Sequence, residues 1–267
     1  MSLFPGVALV TGAASGIGRA TAVAFAAEGC TKIAICDRAA DGLAETKRLI
    51  EGKQGDDGRK VEVEVVAGDV SREESVTNMV QTIVKRWGRI DYAVNCAGIQ
   101  GPPKRSTEFE LEEFDAINRV NYRGLWMCSR AELKQMMKQE PLQTHDGRPG
   151  NRGVIVHIAS QLGIVSRTNA AAYCASKAAV ISLTKSDAID YSNDRIQVNC
   201  VCPGLVQTPM VQGPEQQKLF APAVAIAPMD RMGEPEEIAD ACLFLCSSKA
   251  TFVQGAALVV DGGYTIN

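Results

Sequence analysis

The chain has 267 residues, 46% of them hydrophobic, with a net charge of -3 and a pI near 5.6. That length and apolar content support one sizeable α/β core, and the slightly acidic balance offers no footprint for a nucleic-acid partner. No run of about 18 apolar residues exists for a membrane span, and the opening "MSLFPGVALV" lacks the charged and apolar regions of a signal peptide.

The first predicted element is the strand 7–11, VALVT. It runs into "TGAASGIG" and a helix predicted near 17–28. In a strand–turn–helix of this kind Gly12, Gly16 and Gly18 allow a tight turn, close approach of a pyrophosphate and close helix–strand packing. Ser15 and Ile17 lie at the helix start, whose free N–H groups receive phosphate charge. The second strand, 32–36, is followed at once by Asp37, nineteen residues after Gly18 and so placed to bind an adenosine ribose. Its carboxylate accepts hydrogen bonds from ribose hydroxyls and repels a 2′-phosphate, which favours NAD over NADP. Arg38 pulls the other way, since a guanidinium pairs with a 2′-phosphate.

A helix near 39–51, a polar surface stretch at 51–60 and a strand at 61–66 come next. The chain continues with a helix at 72–87, a strand at 90–94 and one long helix over 111–139. After the polar segment 140–153, which holds His145, follow a strand at 154–159, a helix at 170–192 and a strand at 195–201. A helix at 234–246 and a strand at 257–260 close the series. The alternation predicts an α/β, Rossmann-type doubly wound fold: a seven-stranded parallel sheet with helices on both faces, one domain over 1–267. Ligands of such sheets bind beyond the carboxyl ends of the strands. The chemistry is therefore expected in 95–110, 160–169 and a proline-punctuated lid at 202–237, with 51–60 and 140–153 at the opposite edge.

Within the helix at 170–192, "AAYCASKAAV" sets Tyr173 and Lys177 one turn apart on one face. Taken alone, that pair reads better as a snorkelling lysine beside a core tyrosine. Cys174 reads as a small core residue, Cys96 as a packing substitution and His157 as structural. The nine cysteines show no metal-ligand spacing, and only two histidines are present, so no metal is expected. An odd number of thiols fits a reducing, cytoplasmic setting.

Taken in order, these segments resemble the short-chain dehydrogenase/reductase family along nearly the whole chain. "TGAASGIG" is similar to its cofactor motif and "NCAG" (95–98) to its Asn-Asn-Ala-Gly segment. "GDV" (68–70) is similar to the region meeting adenine, "CPGLVQTP" (202–209) to the nicotinamide-lining segment and 252–263 to the C-terminal strand. Asn121, Ser160, Tyr173 and Lys177 match its catalytic tetrad, with Ser160 thirteen residues before Tyr173.

The resemblance implies a hydride transfer between a nicotinamide cofactor and a secondary alcohol or ketone. Tyr173 is the expected acid/base, favoured as phenolate by Lys177 and the nicotinamide charge. Lys177 also binds the nicotinamide ribose, Ser160 holds the substrate oxygen, and Asn121 positions a water that links Lys177 to solvent. Cofactor contacts extend to Asp69, Val70, Asn95, Ala97, Gly98, Pro203, Gly204, Val206 and Thr208. Gln161, Met210, Val211, Leu219 and Phe220 are expected to face the substrate. The scarcity of basic residues in 202–237 suggests a neutral, moderately apolar compound. Relatives also imply a homotetramer.

Two other readings stay open. One is an NADPH-dependent 3-oxoacyl-carrier-protein ketoreductase docked through Lys104, Arg105, Arg119, Arg123 and Arg130; the other is a dinucleotide-sensing module without activity. Enoyl reductases fit less well, because their tyrosine and lysine stand further apart.

Overall fold

The computed structural model of the chain describes residues 3–52 and 60–267, and all side chains among them except those of 214–219. Most of the polar stretch 51–60 and the side chain of Leu219 therefore lie outside the described residues. Seven strands are present: β1 (Val7–Thr11), β2 (Lys32–Asp37), β3 (Glu62–Ala67), β4 (Tyr92–Asn95), β5 (Gly153–Ile158), β6 (Ile196–Pro203) and β7 (Ala257–Val260). The helices are α1 (Gly16–Ala27), α2 (Ala40–Glu51), α3 (Glu73–Trp87), α4 (Leu111–Asn118), α5 (Leu125–Met136), α6 (Ala171–Tyr191), α7 (Pro214–Ile226) and α8 (Pro235–Cys246).

Why these runs become strands is visible in their burial. Every residue of β1, β4, β5 and β6 is buried, as a parallel strand covered on both faces requires. The sheet order is β3-β2-β1-β4-β5-β6-β7, all parallel, so the chain winds outward in both directions from β1 and β4. One face packs on α1, α2 and α8 through Phe25, Leu43, Ile50, Ile238 and Cys242. The other packs on α3, α5 and α6 through Met79, Ile83, Met127, Leu133 and Ala188. Phe25, Leu43 and Ile50 are fully buried, each contributing about 1.5–3 kcal/mol of hydrophobic stabilisation.

Two segments differ from the sequence-based expectation. The long helix at 111–139 is two helices joined by a π-helical turn over Arg119–Gly124, which contains Asn121. Wider turns of this kind occur at functional sites. The lid at 202–237 is more than a loop, since α7 runs through it with Pro214 in its first turn and Pro222 inside it. Pro214 starts the helix at no loss, because a first-turn N–H has no partner in any case. The neck of this excursion is closed by backbone bonds from Gln207 N to Gly233 O and from Gly233 N to Leu205 O, both 2.9 Å.

The segment 140–153 lies at the amino end of β5, as expected. Arg148 ties it to Ser248 O and Thr251 Oγ1, and His145 meets Ser248 Oγ. That places His145 away from the crevice beyond the strand ends.

Candidate active site

The strand order reverses between β1 and β4, and a cavity opens there beyond the carboxyl ends of the strands, where such sheets bind ligands. Its first wall is the turn between β1 and α1, lined by Gly12, Ser15, Gly16, Ile17 and Gly18. A Cβ on Gly12, whose φ is +68°, would lie 2.7 Å from Ala97 N, and one on Gly18 would lie 2.2 Å from Gly12 O. No side chain fits at either place, so the backbone comes directly against β4 and against the space in front. Ser15 precedes α1 in extended conformation and makes no side-chain cap bond. The opening N–H groups of α1 thus form a donor set suited to phosphate.

Asp37 ends β2 at the cavity edge. Its Oδ2 accepts from Ala14 N at 3.2 Å and its Oδ1 from Ala39 N at 3.0 Å, which aims the carboxylate across the mouth of the turn. Arg38 is exposed on the same wall. Arg19, the nearest base within α1, is committed to the fold: it donates to Ala14 O, and to Thr46 Oγ1 at 3.1 Å. Asp69 and Val70 line the far side. These residues fit a dinucleotide, with an acid at the ribose position and unpaired backbone donors at the phosphate position.

The other end of the cavity is lined by Ser160 and Gln161 from the turn after β5, by Tyr173 and Lys177 from α6, and by Pro203, Gly204, Val206 and Thr208 after β6. Ala97, Gly98, Met210, Val211 and Phe220 complete it. Lys177 is 4% exposed, and its Nζ donates to Ile158 O at 2.8 Å while lying 5.8 Å from the centre of the Tyr173 ring. Burial lowers the ammonium to about 8. The Tyr173 phenol is raised by burial, with the Ser160 hydroxyl and the Arg167 charge pulling it down. The expected lowering by Lys177 is therefore not seen in the protein alone. Its ammonium is held by a carbonyl, and burial outweighs the opposing influences. Ser160 Oγ itself accepts from Leu162 N at 3.1 Å, which fixes its rotamer.

Two expected site residues are not on the cavity wall. Asn121 is fully buried behind it: its Oδ1 accepts from Ile99 N and its Nδ2 donates to Ile99 O, both at 2.8 Å, with Ser176 Oγ at 3.2 Å. It braces the segment after "NCAG" against α6. Asn95, expected to touch cofactor, turns below the sheet end, where Nδ2 donates to Glu132 Oε2 at 2.8 Å. The cavity side of that turn is formed by Cys96 and Ala97, whose N–H groups lie 3.1 and 3.4 Å from Thr11 Oγ1. Desolvation pushes the Cys96 thiol up to about 12, which argues against its use as a nucleophile even though the residue is only partly buried. Cys174 packs with Leu162 and Ala170, as read. His157 is buried and held down at about 3 by burial and by the Lys177 charge, so it stays neutral.

Sequence reasoning missed Arg167, Leu162 and Ile99, all on the cavity wall. None belongs to a spaced motif. Only their position after β4 or β5 could have drawn attention to them.

A family model described as enoyl-(acyl carrier protein) reductase matches residues 12–265. The chain is 40% identical to the short-chain dehydrogenase fogB of Aspergillus ruber, covering 98% of this chain and 97% of that one. It is 39% identical to the 2-(R)-hydroxypropyl-CoM dehydrogenase of Xanthobacter autotrophicus, over 97% and 98% of the two chains. The crystal structure of levodione reductase superposes with a TM-score of 0.88 at 34% identity, covering 98% of this chain and 99% of that one.

Proposed function

The chain belongs to the short-chain dehydrogenase/reductase family, and from that premise we propose the residue roles, cofactor preference and assembly of a nicotinamide-dependent oxidoreductase acting on secondary alcohols and ketones. The observation that carries the reading is the convergence of Ser160, Tyr173 and Lys177 with the glycine-rich turn on one cavity.

In the oxidative direction, Tyr173 takes the hydroxyl proton as the hydride leaves the carbon, and in reduction it returns that proton to the carbonyl oxygen. Ser160, rigid through Leu162 N, holds the substrate oxygen and stabilises the charge that develops on it. Lys177 supplies a buried cation one helical turn from the phenol and binds the nicotinamide ribose. Asn121 positions the segment facing Lys177, and a water held there carries the proton outward. The nicotinamide, when bound, accepts or donates the hydride and adds positive charge beside the phenol. Gly12, Ser15, Gly16, Ile17 and Gly18 hold the pyrophosphate, and Asp69 and Val70 border the adenine. Val206 and Thr208 meet the carboxamide.

NAD is the preferred cofactor. Asp37 is fixed at both oxygens, whereas Arg38 is a single exposed side chain and Arg19 is already engaged. Parallel NADH and NADPH titrations by nicotinamide fluorescence test this, with NADH expected to bind roughly tenfold tighter, or ~1.4 kcal/mol. Tighter NADPH binding would reverse the assignment.

The carrier-protein ketoreductase reading gains nothing from the structure. Lys104 pairs with Glu113 at 2.7 Å and Arg130 with Glu73 at 3.1 Å, which reduces the basic face it requires. The non-catalytic reading needs a missing catalytic group, and all four of the tetrad positions are filled. A homotetramer is supported by exposed apolar side chains along α4 to α6: Leu111 (77% exposed), Phe114, Tyr122, Trp126 and Ile189. Light scattering at the mass of a monomer would refute it. All nine cysteines are free and eight are buried, in keeping with a reducing, cytoplasmic setting. Among the described residues no helix is long and apolar enough to cross a membrane.

A further inference from the structure

Arg167 lies in the turn between β5 and α6, on the wall of the cavity that holds Ser160 and Tyr173. Its guanidinium sits 5.0 Å from the centre of the Phe220 ring, a stacking contact between the strand-end turn and α7. That contact holds the group against the ring, and no hydrogen bond or ion pair engages its N–H groups among the described residues. No carboxylate or carbonyl accepts from Arg167 among the described residues, although most other arginines lining turns here are paired. Among the described residues the two carboxylates on the cavity wall, Asp37 and Asp69, belong to the opposite end, around the glycine-rich turn. The same end of the cavity as Arg167 carries the apolar side chains of Leu162, Met210, Val211 and Phe220 beside the polar groups of Ser160, Gln161 and Tyr173.

A planar cation with free donors and no paired acid among the described residues is suited to a group with paired anionic oxygens. We propose that Arg167 selects substrates that carry a carboxylate or similar oxyanion in addition to the reacting alcohol or ketone. The proposal rests on the alcohol/ketone reading of the same cavity. It replaces the neutral substrate expected from the few bases in 202–237, because the relevant base comes from a different loop. Gln161, also on the cavity wall, has its Oε1 buried beside Gly204 with no partner among the described residues. The field of Arg167 also reaches Tyr173, where it favours the phenolate. Phe220 ties the selection to α7, since the ring that orients the guanidinium belongs to the lid.

The test is a series of oxo acids with one to three methylenes between ketone and carboxylate, each paired with its methyl ester. The wild-type protein and the variants Arg167→Gln and Arg167→Lys are assayed by NADH oxidation. In the wild type at least one acid should exceed its ester in kcat/KM by roughly tenfold to a hundredfold, the range of a charge-assisted hydrogen bond. Arg167→Gln should erase that preference chiefly through KM, and Arg167→Lys should restore part of it. If every ester matches its acid, or if Arg167→Gln lowers acid and ester alike, the proposal is wrong. A weaker Kd for NADH in Arg167→Gln would assign the side chain to cofactor and overturn it as well. Absence of turnover with any carbonyl compound, acid or neutral, would instead count against the oxidoreductase reading beneath it.

Discussion

Glu132 Oε2 accepts a 2.8 Å hydrogen bond from Asn95 Nδ2 in the interior between α5 and the sheet. The pair lies directly beneath the turn that borders the cofactor cavity. His157, opposite Asn95 on β5, has its Nδ1 3.5 Å from the same amide nitrogen. Glu132 Oε1, Asn95 Oδ1 and His157 Nε2 are buried without partners among the described residues. Burial raises the Glu132 carboxyl to about 7, and a proton on it turns one orphan acceptor into a donor.

A pH dependence of stability follows. Folded Glu132 keeps its proton from the ordinary 4.5 up to about 7, so its stabilising contribution is full below 4.5 and is lost as pH rises through 7. His157, lowered from 6.5 to about 3, acts in the opposite sense: its contribution is present above 6.5 and is lost as pH falls through 3. Between 4.5 and 6.5 the two slopes oppose one another. Glu132→Gln removes only the falling slope, so its stability relative to wild type should rise from pH 4.5 to pH 7, by on the order of 3 kcal/mol at most. Urea unfolding of both proteins across that range checks it. Parallel curves would mean that Glu132 is ionised throughout, with Cys128 and His157 as its remaining neighbours.

Tyr173→Phe removes the only phenol on the cavity wall among the described residues and leaves the turn after β1 untouched. Turnover should fall by roughly 10²–10⁴-fold, the usual weight of a positioned acid/base, with NADH binding unchanged. Because burial raises the phenol, alcohol oxidation should gain with rising pH as the phenolate forms. Ketone reduction should decline over the same interval. A pH profile with the same sign in both directions would remove Tyr173 from its role.

Asp37→Ser tests the selector. The serine keeps a short acceptor for the backbone near Ala14 but loses the negative charge. NADH should bind roughly tenfold more weakly and NADPH more tightly, narrowing the ratio by ~1.4 kcal/mol or more. A uniform loss for both would show that the Asp37 bonds to Ala14 and Ala39 only shape the turn.

Much of the architecture is legible in the sequence, for a physical reason. Strands buried on both faces are mostly continuous apolar runs, and VALVT has no other use in a chain of this length. What stays hidden depends on three-dimensional neighbours. The π turn at Arg119–Gly124 shifts hydrogen-bond register without interrupting the apolar spacing, so 111–139 reads as one helix. The helix at Pro214–Ile226 carries two prolines and reads as loop. Glu132 looks like an ordinary charge on a helix surface, yet it is completely buried against Asn95 at the end of β4. Asn95 lies inside a recognisable motif while its side chain points under the sheet, and Arg167 lies in the right cavity outside any motif.

Asn121 poses the sharpest question of role, because it braces the site without lining it. Its amide bonds both backbone groups of Ile99 and touches Ser176, one residue before Lys177. A Cβ built on Gly98 would lie 3.3 Å from Asn121 Oδ1 and 3.6 Å from Lys177 Nζ, so these three groups share one crowded corner. Asn121→Ala leaves the half-buried N–H and C=O of Ile99 without their partner, at up to about 1–3 kcal/mol for each. Stability should fall by about 2 kcal/mol after partial relaxation. If the asparagine only supports the fold, kcat per folded molecule is unaffected. If it also aligns Lys177 and the proton path, kcat falls at least tenfold at a temperature where the variant is fully folded, with the Kd for NADH nearly constant. The second outcome is expected, since the amide holds Ile99 on one side of the corner and Ser176, the residue before Lys177, on the other. Unfolding curves and steady-state rates on the same preparation separate the two.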